Sequence, residues 1–155
     1  SLEDFLKQHS RKYDFIHMSH LIEHFPKYNL INIADTIHQS LSEEGMLFIR
    51  TPNMEGPFGL SSRYMSLGHE IGFTFYSLKT LLEITGFEEI TYHDFPIHRP
   101  SIKQRIGQIL RDYFLLLAKF KYRVFAGAGG KFYGHFGPEL IISAKRGNTD
   151  FLNKE

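Results

Sequence analysis

Two apolar runs, each running straight into a cluster of polar residues, constrain this chain most. Tyr13-Asp14-Phe15-Ile16-His17-Met18 reads as a buried strand, and it leads into Ser19-His20-Leu21-Ile22-Glu23-His24-Phe25. Met46-Leu47-Phe48-Ile49 leads likewise into Arg50-Thr51-Pro52-Asn53. Between them, residues 29–41 set Leu30, Ile33, Ala34, Ile37 and Leu41 at helical spacing. Ser42-Glu43-Glu44-Gly45 is expected to stop that helix, with Gly45 in the left-handed position past its end. In open parallel sheets ligands bind beyond the carboxyl ends of the strands. Two polar strand ends side by side therefore point to a site.

The rest of the chain continues the alternation. Residues 2–9 read as a short helix or turn. Pro52, Gly56, Pro57, Gly59 and Gly68 make 52–72 an irregular loop of the kind used as a lid or binding loop. Residues 74–85 read as a helix stopped by Gly86, and 87–93 as a strand. Residues 101–125 carry a long apolar stripe, Gly127-Ala128-Gly129-Gly130 breaks it, and 139–145 form the last strand. The order of strands and helices indicates an α/β sheet. Residues 1–147 are expected to be one domain with a helical insertion over 101–126, followed by a polar tail over 148–155.

Composition narrows the chemistry. A chain of 155 residues, 42% hydrophobic and 23% charged, fits a globular domain. Net charge +1 gives no overall pull towards nucleic acid, and none is expected as a partner. Without cysteine there is no disulfide framework, thiolate zinc site or thiol nucleophile, and the cytoplasm is the expected compartment. His20-Leu21-Ile22-Glu23-His24 matches H-x-x-E-H, a zinc-protease signature, and a zinc hydrolase is one reading of it. The motif abuts a strand and Pro26 follows it, so no metal is expected there.

Three blocks in order resemble the class I S-adenosylmethionine (SAM)-dependent methyltransferases that act on glycans and small molecules. They are 13–25 with its histidine-rich turn, 40–53 with the second strand, and 69–90 with a loop, helix and strand. Residues 138–146 resemble the family's antiparallel last strand, which inserts between two others. The resemblance implies the C-terminal half of a Rossmann-like sheet, with SAM as cofactor and a saccharide or small hydroxyl-bearing acceptor as substrate. The family's glycine-rich cofactor turn, and the acid that holds the ribose, have no counterpart in these residues. The chain is therefore expected to begin midway through the family's domain. The alternative is a non-catalytic interaction module of the same ancestry.

The resemblance also assigns roles. Ser1, Met18, Ser19, His20 and His24 fall where the family holds its cofactor, and Glu23 is expected to fix the turn. Arg50, Asn53, Arg63 and Tyr64 fall on the acceptor side, although Asn53 could simply shape the turn beside Pro52. His69 and Glu70 are the candidates for acid–base catalysis. An imidazole titrates near neutrality, and a neighbouring carboxylate would orient it; adjacent residues rarely point to one partner, so the alternatives are that Glu70 holds the loop and that His69 is a structural loop histidine.

Two surfaces call for partners. In 101–125, Lys103, Arg105, Arg111, Lys119, Lys121 and Arg123 face the single acid Asp112. Such a helix either packs its stripe on the sheet or makes peripheral contact with an anionic membrane. The first strand, lacking the neighbour it has in the family, should leave an open sheet edge, and a homodimer is expected.

Overall fold

The computed structural model describes residues 2–56, 58–93, 101–126 and 137–148, and in it the two apolar runs are parallel neighbours. β1 (Tyr13–Ser19) is joined to β2 (Leu41–Pro52) through α2 (Leu30–Ser40), with 3-10 turns at Ile22–His24 and Lys27–Asn29. α1 (Leu2–Lys7) precedes β1. After β2 come α3 (Gly59–Tyr64), α4 (Phe75–Ile84), β3 (Phe87–Tyr92), α5 (Ile102–Ala126) and β4 (Glu139–Arg146). The four-stranded sheet has the order β1-β2-β4-β3, with β4 antiparallel to both neighbours. The expected insertion of the last strand is thus observed.

One face of the sheet carries the core. Alternate residues Leu47, Ile49 and Thr51 of β2 and Leu140, Ile142 and Ala144 of β4 point inward, as a period of two dictates. They meet Ile33 and Ile37 of α2 and Leu78 and Leu82 of α4 in one cluster. α4 starts where Thr74 and Ser77 exchange side-chain and backbone hydrogen bonds in a capping box. It ends at Gly86, whose φ of 87° is the left-handed conformation that glycine adopts without strain. On the other face Phe15, Phe48 and His93 form a chain of rings, with centroids 6.5 and 5.9 Å apart.

Several expectations are corrected. β1 is not a buried strand: among its residues only Met18 is buried, because it is an edge strand with one neighbour among the described residues. α2 ends at Ser40 rather than at Gly45. The register runs from Tyr13 opposite Leu41 to Phe15 opposite Met46, so residues 42–45 bulge out of the ladder. A Cβ on Gly45 would lie 2.9 Å from both the Cβ of Leu41 and the carbonyl of Ser42, so the bulge needs a residue without a side chain. The loop 52–72 contains the short helix α3. The stripe of α5 does not pack on the sheet: Ile102, Ile106, Ile109, Tyr113, Leu117 and Phe120 are all exposed. Among the described residues, no helix is long and apolar enough to cross a membrane. Ser1 and most of the tail at 148–155 lie outside the described residues.

Candidate active site

β1 and β2 end side by side, and antiparallel β4 begins at the same edge, so Ser19, Thr51 and Glu139 bring three elements to one rim. The backbone turns sharply there: His20 has φ 48°, and its N–H bonds the carbonyl of Arg50 at 2.8 Å. Because parallel ladders alternate, that bond directs the backbone groups of Ser19 away from β2, towards the open edge.

Side chains of opposite sign meet at this rim. Arg50 donates from Nε to Glu139 Oε2 at 2.5 Å and from Nη2 to Oε1 at 2.9 Å. His20 Nε2 lies 3.1 Å from Glu139 Oε1. Partial burial pushes the Glu139 carboxyl up, but the Arg50 guanidinium and then the His20 ring outweigh it and hold it below the ordinary carboxylate range. The same pairing makes Arg50 harder to deprotonate. Glu139 was not among the residues singled out in the sequence. Its signal was available: a strand inserted antiparallel must begin where its parallel neighbours end.

Behind the rim, Glu23 is 2% exposed. Its Oε2 accepts from Thr51 Oγ1 at 3.0 Å, while Oε1 is buried without a hydrogen bond. His20 Nδ1 lies 3.4 Å from Oε1. The loop after β2 is tied to this residue, since the backbone N–H groups of Glu70 and Ile71 both bond the main-chain carbonyl of Glu23, at 2.8 and 3.2 Å. That brings His69 edge-on to His24, with ring centroids 4.9 Å apart.

The predicted residues sort accordingly. His20, His24, Arg50 and His69 converge on the rim. The ring of His69 is oriented by the carbonyl of Ser62, 2.9 Å from Nδ1, not by Glu70, which is exposed and anchored through its backbone. Arg63 braces the loop by donating to the carbonyls of His69 and Glu70. Asn53 is buried and shapes the turn: its Nδ2 donates to Gly137 O and its Oδ1 accepts from Glu55 N, both at 2.9 Å. Tyr64 is exposed beneath the Arg63 guanidinium, 5.6 Å from its ring centroid. Met18 is buried and Ser19 exposed. H-x-x-E-H is no helical metal motif here, because Ile22–His24 is a single 3-10 turn.

At the opposite end of the strands a cleft of about 510 Å³ is lined by Arg11, Glu43, Glu88, Lys145 and Arg146. Its charges pair with one another, as Arg11 does with Glu43 at 3.8 Å. It lies away from the strand ends where ligands bind in such sheets.

A family model described as a methyltransferase domain matches residues 2–92. The chain belongs to that methyltransferase-domain family. Solved structures agree in fold. A SAM-dependent methyltransferase from Archaeoglobus fulgidus superposes with a TM-score of 0.64 at 20% identity, over 94% of this chain and 65% of that one. A SAM-dependent methyltransferase from Thermotoga maritima gives 0.57 at 15%, over 88% and 57%. Phosphoethanolamine N-methyltransferase 2 from Haemonchus contortus, solved with S-adenosylhomocysteine, gives 0.52 at 13%, over 90% and 35%. The chain thus spans less than two thirds of each. No curated protein matches it.

Proposed function

We propose that this chain forms the acceptor side of a SAM-dependent methyltransferase that methylates an oxygen of a saccharide or other small hydroxyl-bearing molecule. The observation that carries the reading is the convergence of His20, His24, Arg50 and His69 at the carboxyl ends of β1 and β2 in a chain of this family. The residues fit one end of the cofactor. Ser19 turns its backbone groups to the open edge, as contact with the methionine end requires. The glycine turn and acid that hold a nucleotide are not among these residues. When bound, SAM supplies an activated methyl group. The chain positions the acceptor hydroxyl, and the proton released from it passes to His69 Nε2, free to accept because Nδ1 donates to Ser62 O.

The interaction-module reading draws on α5, whose apolar stripe is exposed and whose six basic residues outnumber its one acid. In the methyltransferase reading the same helix lies on an anionic membrane surface, on its cytoplasmic side, where a chain without cysteine is at ease. The open edge of β1, with Phe15 exposed, supports pairing with a second copy.

Thermal unfolding with and without SAM tests the reading. Ligand binding to the folded state alone adds about 2.7 kcal/mol at a hundred times the dissociation constant, or roughly 5–10 °C in a domain of this size. An unchanged midpoint at millimolar SAM refutes cofactor binding by this chain and leaves the interaction module.

A further inference from the structure

We infer that Glu23, His24 and His69 bind a divalent first-row transition-metal ion of the zinc or manganese type. One carboxylate oxygen and one nitrogen from each ring lie within 4.8 Å of one another. Ligands about 2.0–2.2 Å from a shared ion stand at most roughly 4.4 Å apart, so closure needs a shift of a few tenths of an ångström. His24, an exposed side chain, can supply it.

The hydrogen bonds of the two rings select the tautomer that coordination needs. His24 Nδ1 lies 2.7 Å from the carbonyl of Gly68, and His69 Nδ1 lies 2.9 Å from that of Ser62. A carbonyl only accepts, so each Nδ1 carries the hydrogen. In the neutral ring Nε2 is then left with a bare lone pair. An imidazole tied to a carbonyl through one nitrogen and free at the other is the usual state of a metal ligand. Gly68 permits the close approach, for a Cβ there would come within 3.1 Å of His24 Nδ1.

Glu23 supplies an independent reason. Its Oε1 is buried without a hydrogen bond, while Thr51 holds Oε2 at 3.0 Å. A half-satisfied carboxylate in the interior is costly, and a cation removes the cost. His20 does not fill this role: it stands 3.4 Å from Oε1, and its other nitrogen is engaged by Glu139. The sequence motif therefore names one of the ligands, His24: in H-x-x-E-H the glutamate is a base, whereas Glu23 is a ligand here and His69 from the loop takes the place of His20.

Two imidazoles and one carboxylate suit zinc, manganese or ferrous iron and leave positions open for an exogenous oxygen ligand. That ligand is the acceptor hydroxyl, a step that rests on the methyltransferase reading. With the ion bound, His69 is a ligand and the coordinated hydroxyl gives its proton to solvent more readily; without it, His69 Nε2 takes that proton directly.

The test is titration of the chelator-treated chain with cobalt(II) alone, followed by visible absorption. One equivalent is expected to produce ligand-field bands that zinc abolishes. His24→Ala and His69→Ala lose them, and His20→Ala keeps them. Circular dichroism establishes that each variant is folded, and His69→Gln serves if the alanine variant is not. Absence of bands in the unaltered chain overturns the site, as do bands that survive both histidine variants or that depend on His20. Because neither SAM nor acceptor is present, failure here leaves the methyltransferase reading standing, and failure of SAM binding leaves the ion standing.

Discussion

Replacing Thr51 by valine isolates the only hydrogen bond on the buried Glu23 carboxylate among the described residues. The two side chains are nearly isosteric, so no cavity opens; what disappears is one O–H donor, 3.0 Å from Oε2, with Thr51 itself wholly buried. A hydrogen bond to a charged group contributes about 1.5–3 kcal/mol. With Oε1 already without a hydrogen bond, the carboxylate would keep only His20 Nδ1, 3.4 Å from it. The expected cost is about 2 kcal/mol. In urea, with a slope of roughly 2 kcal/mol/M, the midpoint falls by about 1 M while the slope is unchanged. A double-mutant cycle with Glu23→Gln should return a coupling of at least about 1 kcal/mol. A loss below about 0.5 kcal/mol for Thr51→Val refutes the reasoning, because it means that Glu23 does not depend on this donor.

His38 is 1% exposed, with Nε2 lacking a hydrogen bond; burial, then Arg146, lowers its pKa, against the opposing pull of the backbone at Gly147 and Gly86 and of Asp35. The unfolded chain binds a proton near pH 6.5 that the folded chain refuses. Stability is therefore full above that pH and falls as the pH drops below it, by at most about 1.4 kcal/mol per pH unit. Unfolding midpoints between pH 7.5 and 5 should show this slope, and His38→Gln should flatten it. Ile142→Ala empties a fully buried position on β4, between Ile49 and Tyr92. It should cost about 2–5 kcal/mol by denaturant unfolding, and a loss under 1 kcal/mol would contradict the packing described. Vesicles rich in phosphatidylserine should co-sediment the chain at low salt. Release by roughly 0.5 M salt, where the Debye length falls well below 8 Å, marks the contact as electrostatic, and Lys103→Glu with Arg111→Glu should abolish it if α5 makes it.

What could be read from the sequence was what local chemistry decides. The strand over 46–49, the helix within 74–85 and the glycine that stops it all emerged where their residues predicted. Gly45 misled because a glycine serves a helix end and a crowded bulge equally well, and only the register of β1 on β2 separates the two. β1 looked buried because apolar composition does not disclose how many neighbours a strand has. The site was half legible. Residues at strand ends were found, but the approach of His69 to His24 joins positions far apart in the chain, and no periodicity encodes it. Of the two roles open to Glu70, orienting His69 or holding the loop, the structure shows the second, since neighbours along a chain seldom point the same way. The stripe of α5 was plain, and its lack of cover among the described residues was not, since amphipathicity specifies a face and not what lies against it.

The position of β4 has a consequence for how the molecule is made. The strand synthesised last of the four occupies the interior of the sheet, between β2 and β3. Until it emerges, β1, α2 and β2 can assemble as one nucleus, but β3 has no strand to pair with and α4 packs over a half-built surface. The rim waits as well, because Arg50 and His20 are both partnered by Glu139, which is 89 and 119 residues away from them in sequence. Loop closure over such distances precedes any gain from the contacts it creates, so folding should be slow for a chain of this length. A nascent chain halted before β4 would leave β3 unpaired and the inner edge of β2 open besides the outer edge of β1, and these are the surfaces a chaperone binds.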